Sequence, residues 1–385
     1  MTAHALRFPA EWEPQSAVLV AWPHAGTDWA ARLADVETSY VALVAAIARF
    51  QVAVICVTGK SLQQHAARFL DSSGVPHSRL HFVDVEYDDT WLRDSGPVTL
   101  MSGIGLPAAT RTQQVRRMSG LAVDESAQGA DSSSAHPCAA ESPINNRFML
   151  LDFRFNAWGD KYAATRDDRL VEALFEQGIF RNAQRERIDF ALEGGAIETD
   201  GAGTLLSTWH CLHARHPELS RSEIEARLCS TLRQQRVLWL DHGALEGDDT
   251  DAHIDTLARF ADPHTIVYQA CDDSHDAHHA ELQQMAHELA ALRTLDDKPY
   301  RLFALPWAKP VFDSGRRLAA SYANFLIVNG AVLMPAYNDP ADAIAAAALE
   351  KAFPGREIVQ VPCRPLIWQN GSLHCLTMQI PEGLM

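Results

Sequence analysis

Long hydrophobic runs are missing from this sequence. No stretch approaches the roughly 18 consecutive apolar residues that a membrane-spanning helix requires. The opening segment, MTAHALRFPAEWEP, contains neither the apolar stretch nor the cleavage site of a secretory signal peptide. The seven cysteines are an odd number without clustered spacing, so they do not predict a disulfide framework. We therefore expect a cytoplasmic protein with reduced thiols and no membrane partner.

Positive charge is also scarce. The chain carries 33 Lys and Arg against 49 Asp and Glu, a formal net charge of −16 at pH 7, and no long basic run. This balance argues against nucleic acid and anionic membranes as partners, and it favours cationic small molecules. Apolar residues make up 47% of the chain, which is ordinary for a protein with a buried core. A length of 385 residues allows two domains or one large symmetric domain.

Short apolar runs alternate with segments of helical periodicity along the whole chain. Apolar residues recurring at three and four positions predict helices over 32–49, 167–178, 221–234, 276–293 and 339–353. The strand candidates are 16–22, 52–57, 80–85, 148–153, 203–208, 236–240, 265–270, 325–334, 357–361 and 372–380. Within 325–334, Asn329-Gly330 between two apolar runs predicts a hairpin. Roughly five strand-rich groups, each with a helix, predict a mixed α/β fold.

One segment departs from this alternation. Residues 101–146 are rich in Ser, Ala and Gly, poor in aromatic residues, and without periodicity. Such a composition buries too little apolar surface to order a chain. We expect a flexible surface insertion within one catalytic domain that spans 1–385.

The stretch HIDTLARF, 253–260, places an imidazole and a carboxylate two positions apart among apolar residues. On a helix the two side chains would point about 200° apart, whereas alternate residues of a strand share a face. The spacing therefore predicts a strand that carries His253 and Asp255 on the same side. A nearby carboxylate raises an imidazole pKa and fixes its orientation, although a lone histidine is more often a buried structural group.

Three other stretches hold polar residues beside turn-forming residues. In DDTWLRDSGPV, 88–98, Asp94 precedes a turn, and in LEGGAIETDGAGTLLST, 192–208, Glu193 precedes two glycines. The ordinary alternatives are a turn-forming residue or an arginine partner for Asp94, and an exposed carboxylate before a flexible turn for Glu193. In QNGSLHCLTMQIP, 369–381, a strand would place Cys375 on a face with Thr377 and Gln379, and His374 on the opposite face.

These stretches supply one thiol, one imidazole and three carboxylates. Carboxylates around a thiolate would repel a phosphate or a carbonyl, but they suit a guanidinium, which is planar, permanently charged and bound by paired hydrogen bonds. A thiolate can attack the guanidinium carbon, and a nearby acid can protonate the departing ammonia. The composition makes this chemistry plausible without singling it out.

The same stretches resemble the family of agmatine deiminases and bacterial peptidylarginine deiminases. The matching segments follow the family's order and cover nearly the whole chain except 101–146. They are EWEPQSAVLVAWPH, DTWLRDSGP, FNAWGDKY, LEGGAIETDGAGTLLST, GDDTDAHIDTLARF, YANFLIVNGAVLMPAYNDP and GSLHCLTMQIP. The resemblance implies the pentein fold, a five-bladed α/β propeller with pseudo-fivefold symmetry and a central active site. It implies no metal and no organic cofactor.

Roles for individual residues follow from the resemblance. Cys375 would be the nucleophile that forms a thiouronium intermediate, and His253 the acid that protonates ammonia and then activates water. Asp94 and Asp255 would hold the guanidinium nitrogens, with Glu193 lining the same pocket. The remaining substrate-binding candidates are Trp91, Trp22, Asn156 and Arg154.

Two departures leave the substrate's far end open. The family's agmatine deiminases carry a Gly-Gly-Gly-Asn-Ile-His-Cys run where this chain has QNGSLHC, and they have a longer loop after FNAWG. The net charge suits the ammonium of agmatine, which would give N-carbamoylputrescine and ammonia in putrescine biosynthesis. Free or peptidyl arginine is the alternative, with Arg154 or Arg166 as a donor to its carboxylate or amide.

Other classes of function compete with this one. In DDSHDAHHAEL, 272–282, His275, His278 and His279 could hold a catalytic metal, although a solvated helix start explains them as well. A non-catalytic guanidinium binder and an amidino transferase need similar residues. The sequence also leaves open whether the protein forms a homo-oligomer.

Overall fold

The computed structural model describes residues 6–102 and 147–385. Its strands are β1 Leu6–Arg7, β2 Gln15–Ala21, β3 Val52–Val57, β4 Leu80–Asp84, β5 Val98–Ser102, β6 Phe148–Arg154, β7 Ala183–Ala191, β8 Glu198–Thr199, β9 Thr204–Thr208, β10 Arg236–Leu240, β11 Ala258–Asp262, β12 Thr265–Gln269, β13 Arg301–Leu305, β14 Val311–Asp313, β15 Arg316–Leu318, β16 Leu326–Val328, β17 Ala331–Ala336, β18 Glu357–Pro362 and β19 Thr377–Pro381. The helices are α1 Leu33–Ala48, α2 Gly59–Ser72, α3 Leu92–Ser95, α4 Leu170–Glu176, α5 Trp209–Arg215, α6 Arg221–Leu232, α7 His279–Ala291 and α8 Ala341–Ala352. Short 3₁₀ turns lie at Ala30–Arg32, His77–Arg79, Asp167–Arg169, Gly194–Ala196, Ile254–Thr256 and Leu366–Gln369.

Within the described ranges, five sheets of three or four strands share one pattern. Their strand orders are β19-β2-β3-β4, β1-β5-β6-β7, β8-β9-β10, β11-β12-β13 and β16-β17-β18, beside a small β14-β15 pair. In each of the five, an antiparallel pair is followed by a parallel neighbour. The prediction of a mixed α/β fold with strand-rich groups is therefore confirmed.

A helix connects each parallel pair, as a crossover connection requires. Helix α1 joins β2 to β3, and α8 joins β17 to β18. Strand β2 buries both of its faces, with Val18 and Val20 in one apolar cluster and Ala17 and Leu19 in another. Burial on both faces explains why SAVLVAW reads as a continuous apolar run.

The predicted hairpin is confirmed. Strands β16 and β17 pair antiparallel with Val328 opposite Ala331, and Gly330 takes the left-handed conformation with φ 79°. That conformation is the reason for glycine at this position.

Two predicted strands were partly wrong. Residues 253–257 form no strand: Ile254–Thr256 is a 3₁₀ turn, and strand β11 begins only at Ala258. Strand β19 begins at Thr377, so His374 and Cys375 lie in the turn before it. The side chains of His374 and Cys375 therefore need not point to opposite faces, as successive residues of a strand would.

The predicted insertion at 101–146 begins too early. Met101 and Ser102 complete strand β5, and the rest of the insertion lies outside the described residues. Within the parts of the chain that the structure describes, no helix combines the length and apolar character needed to cross a bilayer.

Candidate active site

The predicted acids and the imidazole meet around Gly195. This glycine lies in the 3₁₀ turn Gly194–Ala196, directly after Glu193. A Cβ built on Gly195 would lie 2.5 Å from Nδ1 of His253, 2.9 Å from Oδ1 of Asp94 and 3.2 Å from Oδ2 of Asp255. The absent side chain leaves the space in which these three groups converge, and this explains the second glycine of LEGG.

Cys375 approaches the same group of side chains. Its Sγ lies 3.5 Å from Oδ2 of Asp255 and receives a hydrogen bond of 3.2 Å from Nδ2 of Asn324. The side chain is buried, with 3% of the residue exposed, yet it lines a cavity. Burial, Asp255 and Asp94 hold the pKa of the Cys375 thiol well above its usual value, so the free protein carries a thiol.

His253 is fully buried, and neither ring nitrogen has a hydrogen-bond partner among the described residues. Nδ1 lies 3.8 Å from Oδ1 of Asp94, and Nε2 lies 3.9 Å from Oε2 of Glu193. Burial alone would lower the pKa of His253, but Asp94, Cys211 and Glu193 raise it well above its usual value. The ring is therefore protonated near neutral pH and can act as an acid.

Asp94 accepts two hydrogen bonds that fix its carboxylate. Oδ1 accepts from the backbone N–H of Gly195 at 3.0 Å, and Oδ2 accepts from Nε1 of Trp158 at 2.9 Å. Burial and the neighbouring acids Asp255 and Glu193 raise the pKa of Asp94 to about 6, against the lowering effect of His253. Because burial and the neighbouring acids disfavour the charged form of Asp94, a cation bound beside it would stabilise the ionised carboxylate.

Glu193 is fixed by an arginine on helix α5. Nε of Arg215 donates to its Oε1 at 2.6 Å, and both side chains are almost fully buried. Burial would raise the pKa of Glu193, but His253 and Arg215 lower it below its usual value. Oε2 of the same carboxylate is buried, has no hydrogen-bond partner among the residues that the structure describes, and faces His253.

Asp255 is held by His374. Nδ1 of His374 lies 2.7 Å from Oδ2 of Asp255, and Nε2 lies 2.8 Å from Oε2 of Glu11. Glu11 in turn accepts from Nη2 of Arg259 at 2.8 Å. Burial would raise the pKa of Asp255, but His374 lowers it, so the carboxylate stays ionised. Its Oδ1 is buried, and none of the described residues hydrogen-bonds to it.

The site opens into a cavity of about 540 Å³. Cys375, Asp94, Trp91 and Trp158 lie on its wall together with five further aspartates and one arginine, namely Asp28, Asp88, Asp89, Asp167, Asp249 and Arg316. Burial raises the pKa of Asp89 and of Asp167 to about 7 and that of Asp94 to about 6, so these three acids are only partly ionised near neutral pH. Six acids against one base still give the cavity a negative balance, and a negative cavity concentrates cations.

Trp91 explains another motif glycine. A Cβ on Gly371 would lie 2.6 Å from Cη2 of Trp91, and the opposite side of Trp91 contacts Trp29 at 5.7 Å between ring centroids. The NGS turn of 370–372 thus lets the chain pass over an indole that walls the cavity.

A family model described as Porphyromonas-type peptidyl-arginine deiminase matches residues 7–381. The chain belongs to this family. The agmatine deiminase of Pseudomonas putida is 32% identical, in an alignment that covers 98% of this chain and 96% of the relative. The agmatine deiminase of Pseudomonas aeruginosa is 30% identical with the same coverage.

Solved structures agree with the family assignment. A Porphyromonas gingivalis protein, provisionally assigned as an arginine deiminase, is 40% identical, with a TM-score of 0.81 and coverage of 99% of this chain and 100% of that one. The agmatine deiminase of C. jejuni with substrate bound is 30% identical, with a TM-score of 0.81 and coverage of 100% and 99%. Both likenesses extend over the whole deiminase fold.

Of the four predicted substrate-binding residues, Trp91 lines the cavity, whereas Trp22, Asn156 and Arg154 do not. Trp22 is a core residue whose Nε1 donates to Glu37, and the side chain of Asn156 accepts from Gly159 within a turn. Arg154 is half exposed and lies 3.7 Å from Asp189. Arg166, the other proposed carboxylate donor, lies among Glu86 and Asp88 and does not line the cavity either.

The sequence analysis missed four residues of the site: Trp158, Arg215, Asn324 and His374. Trp158 lies in the motif FNAWGDKY. Its backbone has φ 57°, a left-handed conformation that is rare for bulky residues and is concentrated at functional sites. His374 neighbours Cys375, but the assumed strand turned it away. Asn324 lies within YANFLIVNG, and only its contacts with Cys375 and Asp255 reveal it. Arg215 gives no signal in the sequence.

The three histidines of the rival metal site do not converge. His275 is almost fully exposed, and Nδ1 of His279 bonds the backbone oxygen of Cys271. Both nitrogens of His278 are engaged, one with Asp276 and one with the backbone of Glu246. The structure therefore offers no metal site at these histidines.

Proposed function

We propose that the protein hydrolyses a guanidinium group and that agmatine is its preferred substrate, giving N-carbamoylputrescine and ammonia. One observation carries the proposal: a thiol on the wall of an acidic cavity lies 3.5 Å from Asp255, while His253 and Asp94 converge with Asp255 on the space at Gly195. Membership of a deiminase family supports it.

Recognition begins with charge. Oδ1 of Asp94 and Oδ2 of Asp255 both lie near Gly195, and Oδ1 of Asp255 is buried without a hydrogen-bond partner in the described part of the chain. A planar cation that donates to both acids would satisfy that oxygen and neutralise the pair. The unpartnered oxygen indicates that the site is built for a ligand with N–H donors.

The substrate also activates the nucleophile. The pKa of Cys375 is raised by burial and by the two aspartates, so a thiolate is disfavoured before binding. A guanidinium seated between those aspartates cancels their repulsion and adds an attractive charge beside the sulfur. The reactive thiolate therefore forms when its target is in place, with its proton passed to solvent.

The first half-reaction forms a carbon–sulfur bond. The thiolate of Cys375 attacks the guanidinium carbon, and the carbon–nitrogen π electrons move onto nitrogen to give a tetrahedral adduct. Protonated His253 transfers a proton to the departing nitrogen, the carbon–nitrogen bond breaks, and ammonia leaves a thiouronium. The raised pKa of His253 supports the role of acid.

The second half-reaction consumes water. Neutral His253 removes a proton as the water oxygen attacks the thiouronium carbon. The new adduct then expels the sulfur of Cys375, its hydroxyl proton passes to that sulfur, and a ureido product forms. Asp94 and Asp255 hold the nitrogens of the reacting group through both adducts. Glu193 positions the imidazole between these steps, since its Oε2 lies on the side of the ring opposite Asp94.

The far end of the cavity supports an amine tail. Asp28, Asp88, Asp89, Asp167 and Asp249 suit the ammonium of agmatine. Free arginine is the second candidate, because Arg316 lines the same cavity and its guanidinium, hydrogen-bonded to Asn370, could meet a carboxylate. The relatives named agmatine deiminase favour the first.

A substrate panel tests the proposal. Ammonia release should be fastest with agmatine, slower with free arginine and slowest with a C-terminal arginyl peptide, and Cys375→Ala should release none. Arg316→Ala serves as a matched variant, since it should lower turnover of arginine and spare that of agmatine. Equal or faster turnover of arginine, lost on Arg316→Ala, would reverse the assignment.

The five repeated sheets support the finer fold as well. We infer that they are the blades of a five-bladed propeller, since each combines an antiparallel pair with a helix-connected parallel strand. The residues around Gly195 come from the connections of several different sheets, as expected for a site at the centre of such a ring.

A further inference from the structure

A second cysteine lies beside the imidazole of the site. Cys211 of helix α5 is fully buried and is a free thiol. Its sulfur, a ring nitrogen of His253 and a carboxylate oxygen of Glu193 lie within 4.8 Å of one another. The proposed reaction makes no use of Cys211.

We infer that Cys211, His253 and Glu193 form an inhibitory binding site for a thiophilic divalent cation such as Zn²⁺. Thiolate, imidazole and carboxylate are the three ligand types that zinc takes in proteins, usually in tetrahedral geometry. Zinc–ligand lengths of about 2.0–2.3 Å place such ligands roughly 3.4–3.6 Å apart. Nε2 of His253 and Oε2 of Glu193 are 3.9 Å apart and all three ligand atoms lie within 4.8 Å of one another, so contractions of at most about 1.4 Å would bring them to zinc-binding separations.

Unsatisfied polar atoms point independently to a ligand here. Both ring nitrogens of His253 and Oε2 of Glu193 are buried and have no hydrogen-bond partners within residues 6–102 and 147–385. Unpartnered buried groups of this kind are rare because each costs free energy. One cation between Glu193 and the imidazole would satisfy Oε2 and Nε2 together.

The surroundings also fit the charge of a divalent cation. A thiolate and a carboxylate balance its two positive charges, and Cys211 and Nε2 of His253 each release a proton to solvent on binding. Arg215 donates to Oε1 of Glu193 at 2.6 Å and to Asp251 at 2.6 Å, which leaves Oε2 free and fixes its direction. Ligating carboxylates are commonly oriented by such a hydrogen bond.

A cation at this site would inhibit the reaction because the two ring nitrogens of His253 face different groups; this step rests on the proposed function. Nδ1 faces Asp94 and the space at Gly195, whereas Nε2 faces Glu193. A cation on Nε2 leaves a neutral ring whose one remaining proton sits on Nδ1. That ring cannot become an imidazolium, so it can neither protonate ammonia readily nor accept a proton from water.

Binding can be tested without turnover. Cys375→Ala removes the nucleophile, so Co²⁺ added to this variant should bind at a ratio of one per chain with a near-ultraviolet band typical of thiolate bound to cobalt. The double variant Cys375→Ala, Cys211→Ala should lose the band. Persistence of the band in the double variant, or its absence in Cys375→Ala, would overturn the site.

Inhibition is tested on the active protein. Zn²⁺ should reduce ammonia release from agmatine, and EDTA should restore it. The Zn²⁺ concentration for half inhibition, relative to each variant's own metal-free rate, should rise at least tenfold in Cys211→Ala. It should not change in Cys271→Ala, a matched control in which another buried thiol is removed. Equal zinc sensitivity of the two variants would refute the inference.

The two proposals fail in different ways. If the protein turns over no guanidinium, the cobalt experiment still decides whether the metal site exists. Should Cys211→Ala be too unstable to purify, Cys211→Ser keeps the volume of the side chain but lacks a thiolate, and it should show the same loss of the band. Thermal unfolding of each variant shows whether the fold is intact.

Discussion

A single methyl group at Gly195 should separate the catalytic groups. In Gly195→Ala the new Cβ would lie 2.5 Å from Nδ1 of His253 and 2.9 Å from Oδ1 of Asp94. An ordinary contact needs at least 3.4 Å. The imidazole of His253 must therefore move by about 0.9 Å, or the 3₁₀ turn must shift by a similar amount. Neither movement is easy, because the imidazole is fully buried in closely packed protein.

That displacement predicts a large loss of rate. A misplacement of about 1 Å costs on the order of 100-fold in rate, so kcat for ammonia release should fall by about that factor. The strain of an overpacked core costs about 1–3 kcal/mol of unfolding free energy. Stopped assays of ammonia with agmatine, together with thermal unfolding, measure both effects.

A matched control separates activity from stability. Gly74 follows helix α2 with φ 74°, and a Cβ there meets nothing within 4 Å. Gly74→Ala should cost about 1–2 kcal/mol of stability through its left-handed backbone and leave kcat unchanged. If Gly195→Ala kept normal kcat, the groups would not be held together at that glycine and the proposed arrangement would be wrong.

Three other predictions address single side chains. Cys375→Ala should abolish ammonia release and still bind agmatine in calorimetry, and any turnover above background would exclude a covalent intermediate. Asp94→Asn should lower kcat/KM by about 10- to 160-fold, the equivalent of one charge-assisted hydrogen bond of about 1.5–3 kcal/mol, and an unchanged KM and kcat would remove Asp94 from the site. The pKa of Asp94 is raised to about 6, so its charge is lost as pH falls through that value. Agmatine should accordingly bind Cys375→Ala about tenfold more weakly per pH unit below about 6. Adding Trp158→Phe should move the pH at which affinity begins to fall to a higher value, because it removes a hydrogen-bond donor to the Asp94 carboxylate. An affinity independent of pH between 4 and 7 would refute this.

The sequence predicted neighbours better than it predicted elements. The two-residue spacing of His253 and Asp255 implied a shared side, and both side chains do lie close to Gly195. The element is a 3₁₀ turn, however, since a turn can also bring alternate residues together while Ile254 and Leu257 enter the core. Local alternation therefore does not distinguish the two.

Contacts over long sequence distances were beyond the sequence alone. His374 touches both Asp255 and Glu11, which are far away along the chain, and the assumption of a strand at Cys375 hid it. Asn324 donates to the sulfur of Cys375, and no local pattern distinguishes it from an ordinary turn residue. Such roles depend on how the sheets come together, and a single sequence does not encode that in any short motif.

The pairing of strand β19 with strand β2 has a consequence for synthesis of the protein. Thr377 lies opposite Val20, so the strand that follows the nucleophile closes onto one of the first strands made. Residues 377–381 must be synthesised and paired with strand β2 before Cys375 can come together with Asp94, Asp255 and His253. Closing so large a loop is slow, so the ability to attack a guanidinium should be the last property that a newly made molecule acquires.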